Sequence, residues 1–306
     1  MNEQAMPLKI DHVTIAGFDL KALEQVFALA GLATDYGGPH SNGITHMSLL
    51  GFDDGSYIEL ISTLEPGQAA PWWDAHIQGN GGPCAWAVEV GDVAAEAARI
   101  AALGIPVRGP NAMTRQRPDG VLVEWDLAFV GDKQPGATLP FLIRDRTPRE
   151  LLEGPRRVAA DRAWRVQPSA SVTGTDLTGV AMVVLGVHDL ERAADLFRRV
   201  YGWPAPVTKD DVNFGRLAHF PGTPVSLAAP LHPNDFLAER LRRFDESPWA
   251  FLIGTFNLHA ASNRLRLGTV SSWFDRQVFW FDEPRRHSIL LGLIENRPHA
   301  EQVSLP

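Results

Sequence analysis

A pattern that occurs four times along the 306-residue chain constrains its fold more than any single motif does. In each copy a β-like run leads to Asp or Asn followed by Leu or Val, and then to a helical stretch that closes with Gly. Asp or Asn caps the free N–H groups at a helix start, and Gly adopts the left-handed conformation at a helix end. The capping residues are Asp19, Asp92, Asp189 and Asn257, and the closing glycines are Gly31, Gly104, Gly202 and Gly268.

Each helical stretch has one apolar side and is followed by about three further strand-like runs. In the first copy Leu20, Leu23 and Phe27 fall at helical spacing, which predicts one buried stripe. The runs ITHMSLLGF and SYIELIS then follow as strands. The sequence therefore predicts four βαβββ units and an α+β fold.

The spacing of the units predicts where the chain divides. The steps between successive capping residues are 73, 97 and 68 residues, so the middle step is the longest. It contains a charged and then Ser/Thr-rich stretch, which we interpret as a short helix plus an exposed linker. We predict one domain over residues 1–146, a linker over 147–176 and a second domain over 177–306.

Composition limits the classes of partner. Twenty-eight Lys and Arg face 36 Asp and Glu, a net charge of −8 that disfavours nucleic acid or an anionic membrane as a partner. The single cysteine, Cys84, cannot form an internal disulfide, and the N-terminal residues lack the pattern of a signal peptide. We therefore expect a folded, cytoplasmic protein.

The paired units, the opening KIDHVTIAG and the stretch YGGPHSNGITHMSLLGFDDGSYIELI resemble the vicinal oxygen chelate superfamily, specifically its glyoxalase-like domains. The repeat extends the resemblance over nearly the whole chain, whereas the specific motif covers residues 9–62. The resemblance implies two tandem domains of this type, with curved mixed or antiparallel sheets whose polar faces line ligand cavities. It does not name a reaction, because one fold supports many activities.

His12 and Glu59 occupy positions where the superfamily supplies metal ligands. Imidazole nitrogen and carboxylate oxygen bind zinc, iron, nickel or manganese, so a divalent metal is the expected cofactor, with a metal-free site as the alternative. Alternation along the strands predicts that His46 shares their face and is the third ligand. His40, in the loop GGPHSNG, is the next candidate, and we predict Glu59 and His40 as catalytic residues.

The same alternation predicts the side chains that contact the substrate. Tyr57 and Ser48 are assigned to the polar face in the first unit, and Glu124 and Asp126 are assigned to it in the second. The other units lack the predicted ligands, since Ala85 aligns with His12 and a serine aligns with Glu59 in the third unit. We therefore predict that the second domain is a degenerate copy without a metal site, and such a copy would suit a homodimer interface.

Two functions from different classes remain open. The first is a divalent-metal-dependent enzyme acting on a small oxygenated organic substrate, with isomerase, lyase and dioxygenase chemistry unresolved. The metal would act as a Lewis acid that stabilises an enolate or oxyanion. The second is a metal-free protein that binds and sequesters a small molecule, as bleomycin-binding relatives do.

Overall fold

The structure is a computed structural model and describes residues 8–146 and 165–296. The first half contains strands β1 (Lys9–Ala16), β2 (Asp35–Pro39), β3 (Thr45–Gly51), β4 (Tyr57–Thr63), β5 (Gly82–Glu89), β6 (Val107–Gln116), β7 (Leu122–Val130) and β8 (Phe141–Asp145), with helices α1 (Leu20–Leu29), α2 (Asp74–Gln78) and α3 (Val93–Ala102). The second half contains strands β9 (Leu177–Gly186), β10 (Val207–Asp211), β11 (Gly215–His219), β12 (Val225–Ala229), β13 (Ser247–Thr255), β14 (Leu267–Trp273), β15 (Arg276–Phe281) and β16 (Leu290–Glu295), with helices α4 (Leu190–Tyr201), α5 (Phe236–Phe244), α6 (Leu258–Arg264) and α7 (Asp282–Arg286).

Each half forms one eight-stranded sheet, and the two sheets have the same topology. The orders are β2-β3-β4-β1-β5-β8-β7-β6 and β10-β11-β12-β9-β13-β16-β15-β14. The first strand of each βαβββ unit pairs in parallel with the last strand of that unit, and the two units of a half join through antiparallel first strands. The predicted α+β class and the four-unit, two-sheet architecture are confirmed.

The local signals of the repeat act as the sequence predicted at each helix start. Asp19, Asp92, Asp189 and Asn257 each accept a hydrogen bond from a backbone N–H in the first turn of the following helix. At the helix ends Gly202 adopts the left-handed conformation that the pattern requires. Gly268 does not end its helix, because α6 finishes at Arg264 and Gly268 lies within β14.

The helix-bearing faces of both sheets share one apolar core. Its largest fully buried side chains include Trp86 and Phe27 from the first half and Phe197 and Phe251 from the second. Strands β5 and β13 lie against each other, and Arg240 of α5 donates hydrogen bonds to backbone carbonyls of the first half. The inner face of each sheet lies on the side away from these helices.

The segment before β9 packs on the first sheet. The Ser169 N–H donates to the Gly51 carbonyl at 2.9 Å, and Arg165, Val166 and Val172 are buried. The interpretation of this segment as an exposed linker is therefore wrong, since Arg165 and Val166 pack on the cavity face of the first sheet and Val172 joins the core between the sheets. Residues 147–164 of the predicted linker lie outside the described residues, and the division into domains stays a prediction.

The inner face of the second sheet is filled by its own side chains. Phe214 stacks on Trp280 at 4.9 Å between ring centroids and contacts Trp249 and Trp273 edge-on. In this half Ser226 takes the place of Glu59, and its hydroxyl lies 3.3 Å from the sulfur of Met182 on the neighbouring strand. The same hydroxyl lies 3.0 Å from His219 Nδ1, so the inner face of the second sheet is aromatic packing with one small polar contact.

Candidate active site

A cavity of about 140 Å³ lies on the inner face of the first sheet. Most of its wall is apolar or aromatic, and a small number of polar side chains converge at one end. A site of this composition is typical of small-molecule binding. The lining includes His12, His40, Met47, Leu49, Tyr57, Glu59, Trp72, Trp73, Met113, Arg115, Trp125, Leu127, Phe129, Phe141, Ile143 and Arg165.

The Glu59 carboxylate lies between two imidazoles at the polar end of this cavity. His40 Nε2 is 3.0 Å from Glu59 Oε1, and His12 Nε2 is 3.8 Å from Glu59 Oε2. The Thr14 hydroxyl also donates to Oε2, at 3.4 Å. Burial would raise the pKa of Glu59, but the adjacent imidazole of His40, together with the positive charges of His12 and Arg115, holds it below the ordinary value. The side chain is therefore an ionised carboxylate in a largely apolar cavity.

His12 is oriented by the residue that precedes it. Its Nδ1 lies 2.6 Å from Asp11 Oδ1, and its ring stacks on Tyr57 with 4.6 Å between centroids. Because a carboxylate only accepts hydrogen bonds, we assign a proton to Nδ1. Asp11 thus holds the ring with its Nε2 facing Glu59.

His40 is held by contacts within its own loop. Its Nδ1 lies 2.9 Å from Thr45 Oγ1, the Asn42 amide donates to the same hydroxyl at 3.1 Å, and that hydroxyl donates to Asn42 Oδ1 at 3.3 Å. These contacts fix the imidazole with its Nε2 3.0 Å from Glu59 Oε1. The loop GGPHSNG thus places an imidazole against the carboxylate.

Two buried arginines that the sequence analysis did not single out complete the polar groups. Arg115 lies on β6, two residues after Met113 on the same strand face, and donates to the backbone carbonyls of Gly37 and Arg165. Arg165 lies 2.6 Å from Asp11 through Nη2 and 3.0 Å from Asp145 through Nε. The alternation that starts at Met113 was a usable signal for Arg115, whereas no sequence pattern pointed to Arg165.

The face assignments of His46 and Ser48 are wrong. Glu59 pairs with Leu49 across β3 and β4, so Leu49 and Met47 face the cavity and the alternate residues face away. His46 lies beside α1 and Tyr36, and burial lowers its pKa. The Ser48 hydroxyl donates to Thr34 at 2.9 Å.

Glu124 and Asp126 also lie outside the cavity. On β7 the alternate residues Trp125, Leu127 and Phe129 line it, so the two carboxylates point to the other face. Glu124 is exposed, and Asp126 forms an exposed ion pair with Arg146 at 3.0 Å. The prediction that these two acids enter the cavity is therefore wrong. The reason is that the inner face of the second unit is apolar.

Tyr57 lies in the cavity, as the alternation predicted. Its side chain is fully buried between His12 and the Arg165 guanidinium, which is centred 5.6 Å from the ring. Burial raises the pKa of Tyr57, so its hydroxyl stays protonated and serves as a hydrogen-bonding group. Trp72 and Trp73 form a further part of the wall, and the Trp73 indole N–H donates to the Pro135 carbonyl at 2.9 Å.

The side chains at the cavity do not provide the ligand set that a divalent metal ion needs. With His46 on the other face, the predicted trio of His12, His46 and Glu59 cannot meet at one point. The two imidazoles that do face the cavity contact the carboxylate itself rather than surrounding a common centre. Across residues 8–146 and 165–296, no group of three or more His, Cys, Asp or Glu side chains is arranged to hold a metal ion. The arrangement therefore does not fit a metal centre.

The same described ranges contain no helix that is long and apolar enough to cross a membrane.

This chain resembles a known family over residues 10–181 and resembles solved structures in its overall fold. Residues 10–181 match a family described as a glyoxalase-like domain. A comparison with curated proteins finds no match. Among solved structures, the chain resembles a hypothetical protein from Staphylococcus aureus, with 12% identity, 94% of this chain and 100% of that chain covered, and a TM-score of 0.57.

Two further solved structures share the two-sheet fold. One is a variant of 4-hydroxymandelate synthase from Streptomyces coelicolor, with 11% identity, 94% and 92% of the two chains covered, and a TM-score of 0.58. The other is a fusion of a xylose isomerase-like TIM barrel and a 4-hydroxyphenylpyruvate dioxygenase, with 13% identity, 98% and 50% covered, and a TM-score of 0.55. At these identities the likeness establishes the fold alone.

Proposed function

The chain belongs to the glyoxalase-like domain family of the vicinal oxygen chelate superfamily, and we propose that it is an enzyme that moves a proton on a small organic substrate. The observation that carries the proposal is the buried, ionised carboxylate of Glu59 at the wall of an apolar cavity. A charged acceptor of this kind is suited to general base catalysis, because no bulk water competes for its lone pairs.

His12 lies beside the carboxylate that would accept the proton. Its Nε2 is 3.8 Å from Glu59 Oε2, so the imidazole adjoins the atom on which the proton would be held. Glu59 would take a proton from a substrate carbon, and the C–H electron pair would become a π bond in the substrate. Return of the proton by Glu59 to another carbon of the same substrate gives isomerisation, so no further reactant is needed.

The size of the cavity limits the substrate. A volume of about 140 Å³ is close to that of cavities that hold a single benzene ring, roughly 150 Å³. The wall carries the rings of Trp72, Trp125, Phe129 and Phe141. We therefore infer a substrate with one ring or a short apolar chain, bearing one polar group.

Hydrogen–deuterium exchange tests the proposal directly. We expect the protein, incubated in D₂O with one-ring ketones such as acetophenone and 1-phenylpropan-2-one, to accelerate exchange of the hydrogens next to the carbonyl. The Glu59→Gln variant should lose this acceleration by about 10²-fold or more, the usual contribution of a general base. The exposed Glu65→Gln makes the same chemical change away from the cavity and should exchange as the wild type does.

Metal dependence is the second arm of the test. Chelator-treated protein, and protein reloaded with zinc, iron, nickel or manganese, should exchange at the same rate. Exchange that appears only with one metal would replace this mechanism by a metal-dependent one. Absence of exchange for the whole ketone series, with a ring compound still bound, would favour the binding protein that the apolar wall also suits.

A further inference from the structure

We propose that the Arg165 guanidinium binds the carbonyl oxygen of the substrate through Nη1, and that the substrates are small neutral ketones or aldehydes. This inference rests on the proton-transfer function proposed above and names the chemical group that makes the transferred hydrogen acidic.

The inference rests on which nitrogens of the Arg165 side chain have partners. Its side chain is 3% exposed and forms part of the cavity wall. Nη2 binds Asp11. Nε and Nη1 are both buried without a hydrogen-bond partner among residues 8–146 and 165–296, but Nε still has the Asp145 carboxylate at 3.0 Å. A buried charged donor without a partner is unfavourable, so a ligand oxygen that accepts from Nη1 would gain a strong interaction.

The charges around Arg165 favour a neutral acceptor over a carboxylate. Asp11 and Asp145 already form ion pairs with the guanidinium. A ligand carboxylate at Nη1 would therefore be the third carboxylate on a single cation. A carbonyl oxygen accepts the hydrogen bond without adding charge.

The surroundings hold the guanidinium in place. It lies 5.6 Å from the Tyr57 ring centroid and 5.7 Å from that of Trp125, and Arg115 binds the Arg165 backbone carbonyl at 2.9 Å. Tyr57 also stacks on His12, so its ring lies between Arg165 and the acid–base end of the cavity. A ligand lying along Tyr57 would place its oxygen at Arg165 and its acidic hydrogen toward Glu59.

The chemistry explains why such a donor is needed. The lowered pKa of Glu59 makes it a weak base, so the substrate hydrogen must be acidified by its neighbours. As Glu59 takes the proton, the C–H electrons form a C=C bond and the carbonyl π electrons move to oxygen. The resulting enolate oxygen strengthens its hydrogen bond to Nη1, and reprotonation of carbon restores the carbonyl.

A pair of isosteric probes tests the inference in the wild-type protein. Acetophenone and α-methylstyrene have nearly the same shape, but only the ketone offers an oxygen to Nη1. Ligand-observed NMR titration should show the ketone binding about tenfold or more tightly, as expected for a hydrogen bond to a charged group. Equal affinities of the two probes would overturn the inference without any variant.

Two variants test whether the preference for the ketone comes from Arg165. Arg165→Gln should reduce the ketone preference to about twofold or less, with α-methylstyrene affinity retained as evidence that the cavity is intact. Arg144→Gln, an exposed residue on the outer face of β8, is the matched control and should keep the full preference. If the ketone preference persists in Arg165→Gln, with folding verified by circular dichroism, then another group binds the carbonyl oxygen.

The two proposals fail separately. A ketone preference that depends on Arg165, without deuterium exchange, would leave the Arg165 assignment standing and remove the proton transfer. Exchange that depends on Glu59 while both probes bind equally would do the reverse.

Discussion

Replacing Asp11 by Asn tests whether the buried network behind His12 stabilises the protein as its geometry indicates. In the wild type one carboxylate oxygen accepts from His12 Nδ1 and the other from Arg165 Nη2, each at 2.6 Å. An asparagine keeps one acceptor but turns an N–H₂ toward a donor, so at least one charge-assisted hydrogen bond is lost, together with the attraction between two buried charges.

The magnitude follows from what remains after the change. Breaking a buried ion pair usually costs about 3–5 kcal/mol of unfolding free energy. Here Asp145 still lies 3.0 Å from Arg165 Nε, so the guanidinium is not left isolated, and we expect about 2–4 kcal/mol. The loss of the orienting carboxylate should also reduce proton transfer, since it frees His12 to adopt the other tautomer.

Urea unfolding followed by tryptophan fluorescence measures the first effect, with Asp126→Asn as the matched control. Asp126 pairs with Arg146 at 3.0 Å, and the two side chains are 37% and 43% exposed, so that change should cost no more than about 1 kcal/mol. If Asp11→Asn and Asp126→Asn destabilise the protein by equal amounts, the reasoning about the buried network is refuted.

Three further results are expected. The pKa of Glu59 is lowered from the ordinary 4.5, so its ionisation should make the unfolding free energy of the wild type higher than that of Glu59→Gln above about pH 5. This difference should disappear as the pH falls through the pKa of Glu59 in the folded state. Urea titrations at several pH values measure the difference, and a difference that does not change with pH would contradict the prediction. His46→Ala should leave the affinity for acetophenone, measured by NMR titration, within about twofold of the wild type, whereas His12→Ala should weaken it. Equal losses of affinity would contradict the conclusion that His46 faces away from the cavity. Phe214→Ala should lower the free energy of unfolding by about 3–5 kcal/mol, because it leaves a cavity in the core of the second sheet. A decrease of less than about 1 kcal/mol in calorimetric unfolding would mean that this core is loosely packed.

The repeat was enough to predict the fold class. Capping residues, helical apolar stripes and strand runs are local signals, and each acts over fewer than about ten residues. Four similar units in one chain imply the same local structure four times, so agreement among them strengthens each one. For this reason the predicted caps at Asp19 and Asp189, and the stripe that includes Phe27, appear in the structure as predicted.

Only the tertiary structure decided which strand faces line the cavity. Alternation separates a strand into two faces but does not say which face is inward, and polarity misled the assignment because the inner face here is mostly aromatic. The pairing of Leu49 with Glu59 put His46 and Ser48 on the helix-bearing side. No local pattern would have corrected this, since register is set by contacts between strands.

The same reason accounts for the residues that the sequence did not identify. Arg165 is separated by 154 positions from Asp11 and by 20 from Asp145, yet the three side chains meet behind the cavity. A charged side chain in a linker-like stretch is usually solvated, and nothing local distinguishes one that is buried against distant carboxylates. The sequence by itself determined the four βαβββ units and identified His12 and Glu59 as a pair of candidate site residues. The packing of distant segments decided what surrounds that pair, because burial and partner choice depend on contacts between residues far apart in the chain.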